Sequence, residues 1–122
     1  MKLNIKSEDI YNQVYEKEFN VMSKYIHLEN NKEYSYIDEY GECKIRIYDD
    51  FVEIFRKGEI NSKQVFKLEE ITTFKYITKE FSDKYNLFSK KININDKKIL
   101  IEYDIMKENE IINSIKLEII EI

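Results

Sequence analysis

Period-two alternation of apolar and polar residues dominates the chain. It is clearest in "CKIRIYDDFVEIFR", Cys43 to Arg56. A two-residue turn at Asp49-Asp50 sets Ile47 opposite Val52 and Ile45 opposite Ile54 on one face. The other face then holds Tyr48 beside Phe51, Arg46 beside Glu53 and Lys44 beside Phe55. Apolar pairs on one side and a cross-strand ion pair on the other predict a half-buried antiparallel hairpin, with Arg46 as a solvent-facing partner. The tail repeats the pattern. Ile99, Ile101, Tyr103 and Ile105 share one side of "KKILIEYDI", and Ile115, Leu117 and Ile119 share one side of "SIKLEIIEI". "KENE" and "NDKK" read as the turns beside them. Asn30-Asn31 tolerates the positive φ of a tight turn. If that turn has two residues, Tyr25, His27, Tyr34 and Tyr36 share a face.

These runs predict eight to ten short strands, with one or two helical turns at most, near Ser7. Short strands joined by hairpins must stack or close, because open edges pair with other molecules. The sequential meander favours an all-β, antiparallel up-and-down β-barrel. With 122 residues, no proline and two glycines, nothing divides the chain, so residues 1–122 are expected to form a single domain.

The stretch "FVEIFRKGEINSKQVFKL" then poses a problem of parity. If Val52 and Ile54 face inward, so does Arg56, and the apolar set Ile60, Phe66 and Leu68 carries Ser62 and Gln64 with it. An odd connection of Lys57, Gly58 and Glu59 keeps the core faces together, pairing Arg56 with Ile60, Ile54 with Ser62 and Val52 with Gln64. Three polar side chains are left looking into the barrel. An inward guanidinium must be paired, and Glu59, Asp38 and Glu39 are the nearest acids.

Composition narrows the chemistry. Lysine plus arginine number 20 against 24 acids, for a net charge of −4, which disfavours DNA and anionic membranes as partners. Cys43 is the only cysteine and is expected as a small core residue opposite Arg56. His27 is the only histidine and reads as a partly exposed strand residue. No glycine-rich phosphate loop and no metal-ligand spacing are present, so no enzyme activity, cofactor or metal is expected. The N-terminus lacks an apolar signal core and no apolar run suits a membrane span, so a cytoplasmic protein is expected.

Four segments resemble the YwiB-like family of uncharacterised bacterial proteins: "YSYIDEY", "IFRKGEINSKQVF", "YIT" and "ILIEYDI", in that order. The Arg-Lys-Gly-Glu element is the most specific of them. Where the family has Tyr-Gly after the threonine, this chain has Phe81-Ser82 after a longer gap, and the N-terminal part matches in outline only. The resemblance implies a calycin-like, lipocalin-like antiparallel barrel and no established activity.

Residues expected to line a polar interior are Arg56, Ser62, Gln64, Tyr36, Tyr76, Thr78 and Tyr103. One reading is a barrel that binds a small, partly apolar or anionic molecule in its lumen. The alternative is a packed barrel that meets a protein partner or a second copy through a strand edge, or through the outer aromatics Tyr48, Phe51 and Phe55. An open pocket lined by Arg56, Gln64 and tyrosines would favour the first, and a filled interior the second.

Overall fold

The computed structural model describes residues 1–26 and 31–122, with the backbone alone for Lys24, Tyr25 and Ile26. The readings of His27 and of the Tyr25 side chain lie outside the described residues, while a two-residue Asn30-Asn31 turn is not formed, because Asn31 begins a strand opposite Ile26. Among the described residues eleven strands follow one another, one more than the expected maximum. They are β1 (Lys2–Asp9), β2 (Val14–Asn20), β3 (Met22–Ile26), β4 (Asn31–Asp38), β5 (Gly41–Ile47) and β6 (Phe51–Gly58). After these come β7 (Ser62–Lys67), β8 (Ile71–Ile77), β9 (Ser82–Ile94), β10 (Lys98–Lys107) and β11 (Glu110–Glu121). The segment considered for a helical turn is the β1–β2 hairpin. Asp9 Oδ1 accepts the amides of Tyr11 and Gln13 at 2.9 and 3.0 Å, which closes the turn without a helix.

The ladders are antiparallel but do not close a barrel. They form a six-stranded sheet, β2-β1-β11-β10-β9-β8, and a five-stranded sheet, β3-β4-β5-β6-β7. Only Val21 separates β2 from β3, too short a link for a hairpin, so the chain crosses from one sheet to the other there. At the opposite seam the residues flanking β7 meet the other sheet through isolated bridges, Asn61 to Ile77 of β8 and Leu68 to Ser89 of β9, instead of a ladder. The sheets face each other over a shared core. Phe66 of β7 meets Tyr103 of β10 edge-on at 4.9 Å, and Phe19 of β2 meets Tyr36 of β4 at 4.5 Å. Val52, Phe66, Leu87 and Ile101 at its centre are fully buried.

The central hairpin has the expected register: Arg46 opposite Glu53, Ile45 opposite Ile54 and Ile47 opposite Val52. The Arg46 ion pair is different. Its Nε donates to Glu33 Oε1 at 2.7 Å across the β4–β5 ladder, while Glu53 meets Lys63 at 3.3 Å. A middle strand has two neighbours, and β4 offers the better-placed acid. The β6–β7 pairing keeps the expected parity with the register shifted by two, placing Arg56 opposite Ser62, Ile54 opposite Gln64 and Val52 opposite Phe66. The larger loop is clamped by Asn61, whose amide donates to the Gly58 carbonyl at 2.9 Å. Leu68, expected inward, lies beyond the end of β7 and is exposed.

Ile54 is half-buried against this core. Ile54→Ala is therefore expected to cost about 2 kcal/mol in a urea unfolding titration, at the low end for large-to-small changes. Glu53→Ala, which removes a mostly buried partner of Lys63 and of the Tyr48 hydroxyl, is expected to cost about 1–2 kcal/mol.

Candidate functional site

Arg56 leaves β6 on the face shared with Val52, close to the end where β4 turns into β5. Alternation along three neighbouring strands brings Tyr36 and Asp38 of β4, Cys43 of β5 and Arg56 to one place. In the ladders Tyr36 is opposite Cys43, and Cys43 is opposite Arg56. Arg56 Nη1 donates to Asp38 Oδ2 at 2.7 Å and to Cys43 Sγ at 3.4 Å, and the thiol donates to Asp38 Oδ2 at 3.5 Å. The other carboxylate oxygen, Oδ1, accepts the Tyr40 amide at 2.8 Å. Asp38, one of the three acids expected, is 5% exposed against 32% for Arg56, so the pair sits at the rim with its acid tucked in.

Electrostatics follow from this geometry. Burial alone would raise the Asp38 carboxyl, but the Arg56 hydrogen bond and charge and the Tyr40 amide outweigh it and hold the group below its ordinary value. Burial pushes the Cys43 thiol up to about 11 despite the nearby guanidinium. Burial likewise raises the Tyr36 and Tyr103 hydroxyls, both within electrostatic reach of Arg56. A buried thiol held protonated is not a nucleophile at neutral pH. Cys43 should resist a soluble disulfide reagent in the folded protein and react promptly once denaturant exposes it; fast labelling without denaturant would contradict its burial.

The residues expected to line an interior site separate into two groups. Arg56, Tyr36, Tyr103 and Ser62 converge at this end. Gln64 is half-buried opposite Ile54, one pair further along. Tyr76 stacks on Phe81 with ring centroids 5.8 Å apart. Thr78 belongs to the β8–β9 turn, where its hydroxyl oxygen accepts the Glu80 and Phe81 amides at 3.3 and 3.2 Å. Among the described residues, no group of His, Cys, Asp and Glu is placed to hold a metal ion, and no helix is long and apolar enough to cross a membrane.

A groove beside the cluster was not legible in the chain. Strand β3 pairs with β4 only as far as Met22 opposite Ser35, so Tyr36, Ile37 and Asp38 have no partner on that side. Strand β2 is the other open edge. Between them lies a groove of about 760 Å³, lined by Phe19, Met22, Tyr36, Ile37, Asp38 and Cys43 among others. Met22 and Ile37 are 79% and 75% exposed at its lip.

At the far end a cleft of about 610 Å³ holds a tie between the sheets. Tyr34 OH and Lys32 Nζ both donate to Glu121 Oε2, at 2.9 and 3.0 Å. The outer aromatics do not form an open patch. Tyr48 and Phe51 stack on each other at 4.2 Å, Lys67 lies over Phe51, and Arg46 and Lys63 lie over Phe55.

No curated protein matches the chain. The structure is similar to the crystal structure of the ywiB protein from Bacillus subtilis, with a TM-score of 0.76 and 19% identity over 98% of this chain and 89% of that one. At that identity the likeness carries the fold alone, and it agrees with the resemblance seen in the four sequence segments. A family model described as a domain of unknown function, DUF1934, matches residues 2–119, and the chain belongs to that family.

Proposed function

We propose that this protein is a non-enzymatic binding protein for a small, partly apolar molecule, and that the ligand lies in the groove between β2 and β4. The groove carries the reading. Its volume of about 760 Å³ falls in the range of roughly 300–1,000 Å³ typical of ligand sites. Apolar walls, Phe19, Met22, Tyr36 and Ile37, with a few fixed polar groups are also what such sites use to bind and then orient a ligand. The centre between the sheets has its space filled by buried side chains instead. Arg56 has a carboxylate already, and the groove acids Glu18, Asp38, Glu39 and Glu42 outnumber Lys17 and Lys44. The ligand is therefore neutral or cationic, not an anion held by Arg56.

A neutral solvatochromic dye, Nile red, tests this, with native mass spectrometry to count bound molecules. Saturable binding of one dye molecule is expected. Met22→Asp and Ile37→Asp, both at exposed positions, should weaken it at least about tenfold while leaving unfolding unchanged, since each puts a charge where apolar contact is needed. Absent saturation, or equal binding by both variants, removes the groove as the site.

A further inference from the structure

Among the described residues, the exposed aromatic side chains gather at one end of the molecule. Five connections meet there: residues 10–13, 39–40, 59–61, 78–81 and 108–109. They are stitched together. Tyr11 OH donates to the Ile112 carbonyl at 2.9 Å, the Glu59 amide donates to the Tyr40 carbonyl at 2.9 Å, and Asn61 bridges to Ile77. On this end Tyr11 is 64% exposed, Tyr15 43%, Tyr40 43%, Phe81 51% and Ile111 57%. Among the described residues, the other end exposes Met1, Leu68, Ile71 and Ile122 but no tyrosine or phenylalanine to this extent. Exposed surface rich in tyrosine and phenylalanine is the composition of a protein interface centre.

Charge says what covers it. In these five connections the exposed acids Glu39, Glu59, Glu80 and Glu108 stand against a single cation, Lys79. The phosphates of a membrane or of nucleic acid would be repelled by that ring, and a second copy would bring the same acids against it. We propose that this end docks a protein segment that presents lysine or arginine side chains around an apolar centre. The surface adjoins the β2–β4 groove at Glu39 and otherwise uses other residues, and its ring of charge guides a basic partner onto the aromatic centre.

The test uses the full chain and two synthetic peptides, acetyl-KLKLKLK-amide and acetyl-ELELELE-amide, titrated calorimetrically at low and moderate salt. The basic peptide should bind saturably and more weakly as salt rises; the acidic one should not bind. Charge reversal at this end (Glu59→Lys, Glu80→Lys and Glu108→Lys together) should weaken binding at least about tenfold. The matching reversal at the other end (Glu69→Lys, Glu70→Lys and Asp96→Lys) should change it less than about twofold. Met22→Asp should leave peptide affinity unchanged, which separates this surface from the groove. Lack of binding, equal effects of the two reversals, or binding of the acidic peptide would overturn the proposal. So would adsorption of this end to anionic vesicles, or a dimer in sedimentation that the first reversal dissociates.

Discussion

Gly58→Ala is expected to destabilise the fold by about 2–6 kcal/mol, taking about 1–3 for backbone strain and a similar amount for overpacking. The chain's two glycines face each other across the β5–β6 ladder, with φ of +131° at Gly41 and +148° at Gly58. An L side chain rarely adopts either value. A Cβ on Gly58 would stand 2.6 Å from the Tyr40 carbonyl oxygen, and one on Gly41 would collide with the Lys57 carbonyl. Neither backbone can give way cheaply, since the Tyr40 carbonyl also accepts the Glu59 amide at 2.9 Å. Gly41→Ala should cost a similar amount, and the double variant less than the sum, because both relieve themselves through the same backbone shift. Urea unfolding of the three variants checks this; a loss under about 1 kcal/mol would mean the strands separate freely there.

Arg56→Met is expected to cost about 2–4 kcal/mol, somewhat below the full cost of breaking a buried pair because Arg56 is a third exposed. The loss comes mainly from Asp38, whose nearly buried carboxylate would keep only the Tyr40 amide and the Cys43 thiol as partners. Asp38→Asn should cost a comparable amount. The pH dependence has a definite sign. The folded Asp38 carboxyl lies below its unfolded value of about 3.9, so its contribution is complete above that value. It fades as pH falls through the still lower folded value. Acid should therefore destabilise the wild type more steeply than Asp38→Asn.

Strand parity was legible because the period of two is local: Ile45 and Ile54, and the inward set of β10 and β11, follow from neighbours in the chain. The β6–β7 register was not, since the loop is set by the Asn61 clamp on Gly58 and its bridge to Ile77, contacts of side chain and tertiary structure. Closure into a barrel also failed for a tertiary reason. Nothing local at Val21 announces that the chain changes sheets there. The Arg46 pair shows the same limit, because a hairpin read by itself offers Glu53 and hides Glu33 on the strand beyond. At the candidate site, Arg56 and Cys43 followed from alternation, which left the acid open among Glu59, Asp38 and Glu39. Thr78 fell out because its turn captures it. The groove depends on where β3 stops pairing, which no residue pattern declares.

The central claim is that Arg56 is an internal tie to Asp38 and leaves ligand binding to the groove. A double-mutant cycle of Arg56→Met and Asp38→Asn, read by urea unfolding at pH 7, tests it most directly. A coupling energy of about 1–3 kcal/mol is expected, as for residues in one buried pair. A coupling near zero, with Arg56→Met as stable as wild type, would contradict it and return the guanidinium to the role of an anion site.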